Sequence, residues 1–281
     1  MGDIKDKMKN CILVVNYSHA KHVDSASFLR NLYKDYFKKI IFYSDAGEEI
    51  NTDDHINFVY TQKGGRSQSI FWHLWENYAD DINSSDGLFY TMDDCIINVS
   101  NLHAYDYTKA IFPAGEKSIR KPLNELPNRW WWTSAQGKKA IANLESSLVF
   151  KDLEIDGYTG CYADYFYVPK QYLNELFFKR MRAFGNAHIW HEIAIPSVIH
   201  NTIISKEGYQ PHNYLAIWNN FGRFNDRDYF INSFDSSVKA DQKINFKEDW
   251  ETNHKNIAVH PIKLSNLEYR ERLEEMFLTY A

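Results

Sequence analysis

Short apolar runs alternate with amphipathic stretches along the first hundred residues. Cys11–Val15 (CILVV) is continuous and β-branched at its end, the pattern of a strand covered on both faces. Asn16, Tyr17, Ser18 and His19 then read as a polar loop. Ser25 is placed to cap a helix in which Phe28, Leu29, Leu32, Tyr33 and Tyr36 recur at three and four. Lys39–Tyr43 predicts a second strand, ended by Ser44 and Asp45, and Ile56–Tyr60 a third. Gly64 and Gly65 break the chain before a helix marked by Ile70, Phe71, Leu74, Trp75 and Tyr78. Leu88–Tyr90 predicts a fourth strand, running into Asp93 and Asp94.

This order predicts an α/β fold with a largely parallel sheet and helices on its faces. Ligands of such sheets bind beyond the carboxyl ends of the strands, and Asn16, Asp45, Gly65 and Asp94 all fall on that edge. The texture changes near residue 100. Residues 113–137 hold three prolines and the run Trp130, Trp131, Trp132. Val149–Tyr167 reads as strands around Gly157 and Gly160. Pro169 suits the first turn of a helix carrying Tyr172, Leu173, Leu176 and Phe177. A further helix spans about His188–His200, bent near Pro196. Residues 219–256 are polar with little periodicity, and Ile257–Val259 is a last short strand. Ser265 and Glu268 form a capping-box pattern before a final helix with Leu273, Met276, Phe277 and Tyr280. No break is clean enough for a linker, so residues 1–281 are read as one domain.

Composition narrows the function. The chain carries 37 acidic and 32 basic residues, a net charge of −5, without the basic footprint of a nucleic-acid binder. Aromatic residues reach 16%, which serves either a core of large rings or a surface that stacks on sugars and bases. Cys11, Cys95 and Cys161 have neither disulfide nor zinc spacing, and the first two sit in apolar runs that bury a thiol. No apolar run reaches the ~18 residues of a membrane span, and the charged N-terminus has no signal-peptide core. The expectation is a soluble cytoplasmic protein.

Three groups of residues carry candidate chemistry. Tyr90-Thr91-Met92-Asp93-Asp94-Cys95 puts two carboxylates between apolar runs, where they need a partner. A hard divalent cation is one such partner; a capped turn with solvated acids is the other reading. Ile257–Lys263 delivers His260 from a strand with Lys263 three residues on, fit to ligate a metal and neutralise a phosphate, or simply to sit at the surface. Glu192 lies among apolar residues, where burial would make it a general base; alternatively it pairs with His188 on a helix face. The order of His188, His191 and Glu192 matches no zinc-hydrolase motif, and P-loop, GxSxG and GxGxxG signatures are lacking.

Together these residues resemble a Leloir glycosyltransferase of the GT-A fold. CILVVNYSHA looks like the first strand and nucleotide loop. LFYTMDDCIIN looks like the DxD-type metal motif, with Met92 where the first acid often stands. GYTGCYADYFYVP and HIWHEIAIP look like the acceptor-side segment and base-bearing helix, and VHPIKLS like the C-terminal His and Lys that close over metal and diphosphate. The style resembles small soluble glycosyltransferases of bacteria or large algal viruses.

The resemblance implies a GT-A-like fold, with residues 1–100 serving the donor and 101–281 the acceptor and the C-terminal metal segment. It implies Mn²⁺ or Mg²⁺ on Asp94 and His260. Asn16, Tyr17, Asp45, Arg66, Asp93 and Lys263 would then hold the nucleotide sugar. Trp130, Trp131, Trp132 and Asp164 would meet a glycan acceptor, with Glu192 as base and inversion at the anomeric carbon. The expected donor is a UDP-sugar, with a weak preference for UDP-xylose. A retaining enzyme of the same fold, a sugar nucleotidyltransferase and a carbohydrate-binding module are the alternatives.

Overall fold

The computed structural model describes residues 8–17, 20–44, 67–99, 102, 105–113, 121–125, 134–203, 208–216, 256–260 and six positions between 264 and 274. The expected third strand (Ile56–Tyr60), Asp45, Gly64–Arg66, Trp130–Trp132, Lys263 and the capping box at Ser265 lie outside the described residues.

Eight strands form one mixed sheet: β1 (Ile12–Tyr17), β2 (Lys39–Ser44), β3 (Gly87–Met92), β4 (Ile96–Ile97), β5 (Ala110–Pro113), β6 (Tyr165–Pro169), β7 (Tyr209–Ala216) and β8 (Asn256–His260). Their spatial order is β2-β1-β3-β6-β5-β7-β8-β4. The pairs β1–β2, β1–β3, β5–β7 and β7–β8 are parallel, whereas β6 runs antiparallel to both β3 and β5, and β4 antiparallel to β8. The α/β expectation holds, with a sheet less uniformly parallel than the sequence pattern implied.

Five α-helices are described: α1 (Ala26–Tyr33), α2 (Ile70–Asn83), α3 (Ala135–Glu145), α4 (Glu175–Asn186) and α5 (His191–Thr202). The central strands are covered on both faces, which is why they read as continuous apolar runs. Alternate residues of β3 show it. Phe89 packs against Phe37 just beyond α1, and Tyr90 against Phe71 of α2. β6 alternates in step: Tyr165 and Tyr167 meet Phe89, while Phe166 stacks on Tyr90. The largest fully buried side chains are all Tyr or Phe, so much of the aromatic excess is core.

Several sequence expectations are corrected. Asn16 and Tyr17 belong to β1 rather than to a loop, because they continue the register with Tyr43 and Ser44. Phe150–Leu153 forms a 3₁₀ turn, not a strand, and the strand begins only at Tyr165. Pro169 closes β6; helix α4 starts at Glu175, where the Asn174 side chain accepts a hydrogen bond from Phe177 N–H. Helix α5 begins at His191, since His188 takes a left-handed turn with φ of 60°.

Candidate functional site

Strand direction gathers the chemistry. β1, β2, β3, β5, β7 and β8 all point the same way, so their carboxyl ends share one edge with the start of the antiparallel β6. That edge carries Tyr17, Ser44, Met92, Asp164 and His260.

The turn after β3 is closed by local bonds. Cys95 N–H donates to Met92 C=O at 3.1 Å, and the Thr91 hydroxyl donates to Cys95 C=O at 2.8 Å. Asp93 N–H reaches Asn16 C=O at 3.0 Å, and Met92 N–H reaches Asp164 C=O at 2.9 Å. The main chain then enters β4, which pairs Ile96 with Val259 and Ile97 with Ala258. One step further along that register, Cys95 faces His260, and Asp94 is its chain neighbour. This two-residue strand explains how acids near residue 94 meet a histidine 166 positions later.

Asp94 Oδ1 lies 3.3 Å from His260 Nε2, and both side chains keep a small exposed fraction, 13% and 15%. On the other side of the ring, His260 Nδ1 faces Asp164 Oδ2 at 3.7 Å. The imidazole therefore sits between two carboxylates. Cys95 lies beneath them with its thiol pushed well above the ordinary range by burial, with the charges of Asp164 and Asp94 adding to the effect. Asp164, expected to meet an acceptor, is placed against His260 and is 8% exposed.

A second group ends β1 and is neutral. The Asn16 amide donates to Ser67 Oγ at 3.0 Å, and Tyr90 Oη donates to Met92 Sδ at 2.9 Å. Asn16 and Tyr17 are fully buried. The Tyr17 hydroxyl lies 3.3 Å from Ser25 Oγ, and its ring packs on Phe42 at 6.1 Å. Burial raises the Tyr17 phenol far above its usual value, with the nearby Asp93 charge contributing. Asn16 and Tyr17, expected at the nucleotide base, both have their side chains packed inside the protein here. Asp93 is 1% exposed, while Asp94 keeps a small exposed fraction and is turned toward His260.

Helix α5 fixes the segment that delivers Asp164. Pro196 lies inside the helix and has no N–H to give to the carbonyl four residues back. That carbonyl is Glu192 C=O, and it accepts Cys161 N–H instead, at 3.0 Å. Ser197 Oγ accepts Thr159 N–H at 2.9 Å, and the Asn201 amide donates to Gly157 C=O at 2.8 Å. One helix face thus clips residues 157–161, three positions before Asp164.

The Glu192 side chain is half-buried in the first turn of α5 and accepts a hydrogen bond from Trp190 Nε1 at 3.0 Å. Its apolar sequence neighbours are buried, but the carboxylate itself is not, so the argument from an apolar setting is corrected. A helix start also favours a negative charge. His188 is outside α5, so it is not the helix-face partner the spacing implied.

Asp94 and His260 fit a hard divalent ion in donor chemistry and spacing. Adjacent ligands on an ion held at about 2.0–2.1 Å stand roughly 3 Å apart, and Mg²⁺ commonly takes one or two carboxylates plus phosphates. Met92 is unsuited to such an ion, because a thioether is a soft donor. Among the described residues, no set of three or more His, Cys, Asp or Glu forms a metal cluster, so a bound ion would take its other ligands from substrate or water.

Sequence reasoning missed the approach of Asp164 to His260 and the clip at Pro196. The first depends on pairing across the sheet; the second was legible in the proline, whose missing donor frees a carbonyl at a known offset.

No family model matches the sequence, and no curated protein matches it. Solved structures that align with it include an active-site variant of LgtC, at 11% identity and a TM-score of 0.41, covering 96% of this chain and 95% of that one. A complex of the galactosyltransferase LgtC with donor and acceptor sugar analogues aligns at 11% identity and a TM-score of 0.42, covering 95% and 94%.

Proposed function

We propose that the protein is a glycosyltransferase that moves a sugar from a nucleoside-diphosphate sugar to a hydroxyl of a glycan acceptor, with Mn²⁺ or Mg²⁺ held by Asp94 and His260. The observation that carries this reading is the 3.3 Å approach of those two side chains at the carboxyl edge of the sheet. A divalent ion held there would neutralise the leaving diphosphate. On this reading β1–β4 serve the donor and the later elements the acceptor, with His260 at the end of β8 returning to the donor's ion. Arg66 and Lys263 supply positive charge to the diphosphate, and Asp45 meets the ribose or base. The run Trp130–Trp132 stacks on the acceptor.

UDP-sugars, UDP-xylose among them, are the donors to try first. A screen of nucleotide sugars for donor hydrolysis should show turnover that needs Mn²⁺ or Mg²⁺ and stops in EDTA. Full activity in EDTA would overturn the metal assignment. Glycan binding with no turnover of any nucleotide sugar would favour a carbohydrate-binding module. Diphosphate release from a nucleoside triphosphate and a sugar 1-phosphate would favour a nucleotidyltransferase.

Glu192 is the base in this proposal. Its half-exposed carboxylate stands on a helix whose first-turn carbonyl is tied to the segment leading to Asp164. Proton removal from a hydroxyl during attack is worth roughly 10²–10⁴-fold. Glu192→Gln should lose that much transfer rate while donor binding stays near normal. NMR of the first-formed product should show an inverted anomeric centre. Retention, or near-normal transfer by the variant, removes Glu192 from the mechanism.

A further inference from the structure

We infer that Asp164 is a positioning residue for His260: its carboxylate holds the proton on Nδ1 and so leaves the Nε2 lone pair free for the ion that His260 would share with Asp94. This rests on reading Asp94 and His260 as the cation site. The geometry is directional. His260 presents one nitrogen to each of two carboxylates, Nε2 to Asp94 at 3.3 Å and Nδ1 to Asp164 at 3.7 Å. An imidazole that ligates a metal through one nitrogen almost always donates its other N–H to a carboxylate, carbonyl or water, which fixes tautomer and ring angle. Asp164 stands where that partner belongs. The gap exceeds a hydrogen bond by roughly half an ångström, so a small tilt of either side chain closes it.

The frame around Asp164 is built for the task. Its own carbonyl accepts Met92 N–H at 2.9 Å, which locks its main chain to the end of β3. The three contacts from Glu192, Ser197 and Asn201 hold residues 157–161 just upstream. Its carboxylate Oδ2 is buried and, among the described residues, makes no hydrogen bond; the nitrogen it approaches is His260 Nδ1. A buried carboxylate oxygen in that position is costly unless a donor comes to it, and Nδ1–H is the donor it faces. The role also accounts for a departure from the DxD pattern. With Met92 in place of the first acid, the second carboxylate near His260 comes from the residue just before β6, and it stands behind the histidine on the side away from Asp94.

Two readouts separate this inference from the cation assignment. The first is the tautomer of neutral His260, read by ¹⁵N–¹H correlation NMR of histidine-labelled, metal-free Asp94→Ala protein, in which the Asp94 carboxylate no longer competes for the proton at Nε2. That protein should carry the proton on Nδ1. Adding Asp164→Ala should shift it to Nε2, and adding Asp164→Asn instead, whose amide oxygen still accepts, should keep it on Nδ1. The second is Mn²⁺ affinity, titrated by the EPR signal of the free ion. Asp164→Ala should bind Mn²⁺ about 10–100-fold more weakly, the usual cost of losing such a partner, and Asp164→Asn should recover most of it. An Nε2–H tautomer in the Asp94→Ala protein overturns the inference even if neither Asp164 variant folds. So does a protein with Asp164→Ala added that folds and keeps the Nδ1–H form. If the tautomer follows Asp164 but the wild type binds no Mn²⁺, the pairing stands and the cation assignment falls.

Discussion

Two clusters share one edge of the sheet and differ in kind. Around the end of β1, Asn16, Ser67, Tyr90 and Met92 are buried and uncharged, joined by an amide, two hydroxyls and a thioether. Around the end of β8, Asp94, Asp164 and His260 are charged or chargeable, and Asp94 and His260 remain partly open. Both lie where the strand-end rule places ligands. The contrast teaches that the rule selects an edge and that exposure then selects the site along it. Donors at the β1 end find partners within the protein; carboxylates at the β8 end converge on one imidazole. Substitution in the charged cluster should therefore cost activity, and substitution in the neutral cluster should cost stability.

The sharpest test is Asp94→Ala. Loss of a preorganised electrostatic group should lower turnover by ~10²–10³-fold, about 2.7–4 kcal/mol of transition-state stabilisation. The thermal unfolding midpoint should move far less than turnover, because the carboxylate it removes faces another chargeable group rather than filling the apolar core. A variant with wild-type turnover, or one that fails to fold, breaks the division between the clusters.

Asn16→Ala tests the other side. It removes a buried hydrogen bond and leaves the Ser67 hydroxyl without that amide. Urea unfolding should show a loss of about 1–3 kcal/mol. Turnover of the folded fraction should stay within a few-fold of wild type. If stability is kept and the donor KM rises tenfold instead, Asn16 contacts the nucleotide after all and the clusters are one site.

How much of this was legible in the sequence differs along the same lines. The strands β1, β2, β3 and β8 and the helices α1 and α2 stood out because continuous apolar runs and a 3–4 spacing report burial locally. Asp94 and His260 were legible because each directly follows or ends such a run. Helix α3 was overlooked, although Ser134 caps it through Gly137 N–H and Ala140, Ile141 and Leu144 line its buried face. The strands β4, β5 and β7 are short or mixed in polarity, so their identity comes from partners across the sheet rather than from period. The burial of Tyr17 and the partial exposure of Glu192 were not legible for one shared reason. A residue beside an apolar run can point into the core or out of it, and chain neighbours alone do not decide which.

Two thiols carry the comparison down to a single residue type. Cys95 lies in the charged cluster, and Cys11 directly precedes β1 at the far end of that strand. Both are buried. Burial, aided by the Asp86 charge, pushes Cys11 up to about 12 from 9.0, and Cys95 is driven well above 9.0 by burial with Asp164 and Asp94 contributing. A folded-state pKa above the unfolded one means that the native chain keeps a proton the unfolded chain releases. The associated stability is present below pH 9 and is lost as the pH climbs through the folded value. For Cys11 the loss should reach about 1.4 kcal/mol at pH 10. Urea unfolding at pH 8 and pH 10 measures it, and Cys11→Ala should lose about that much less between the two than the wild type. The subtraction cancels buried tyrosines that Cys11 does not perturb, such as Tyr33 and Tyr43, and leaves the share of Tyr107 and Tyr167 that depends on the thiol. Native Cys11 and Cys95 should resist alkylation at pH 8, since the thiolate is the reactive form. Equal alkaline losses in wild type and Cys11→Ala would show that the thiol is not held in its neutral form, and fast labelling of Cys95 alone would place it at an open surface beside Asp94 rather than beneath it.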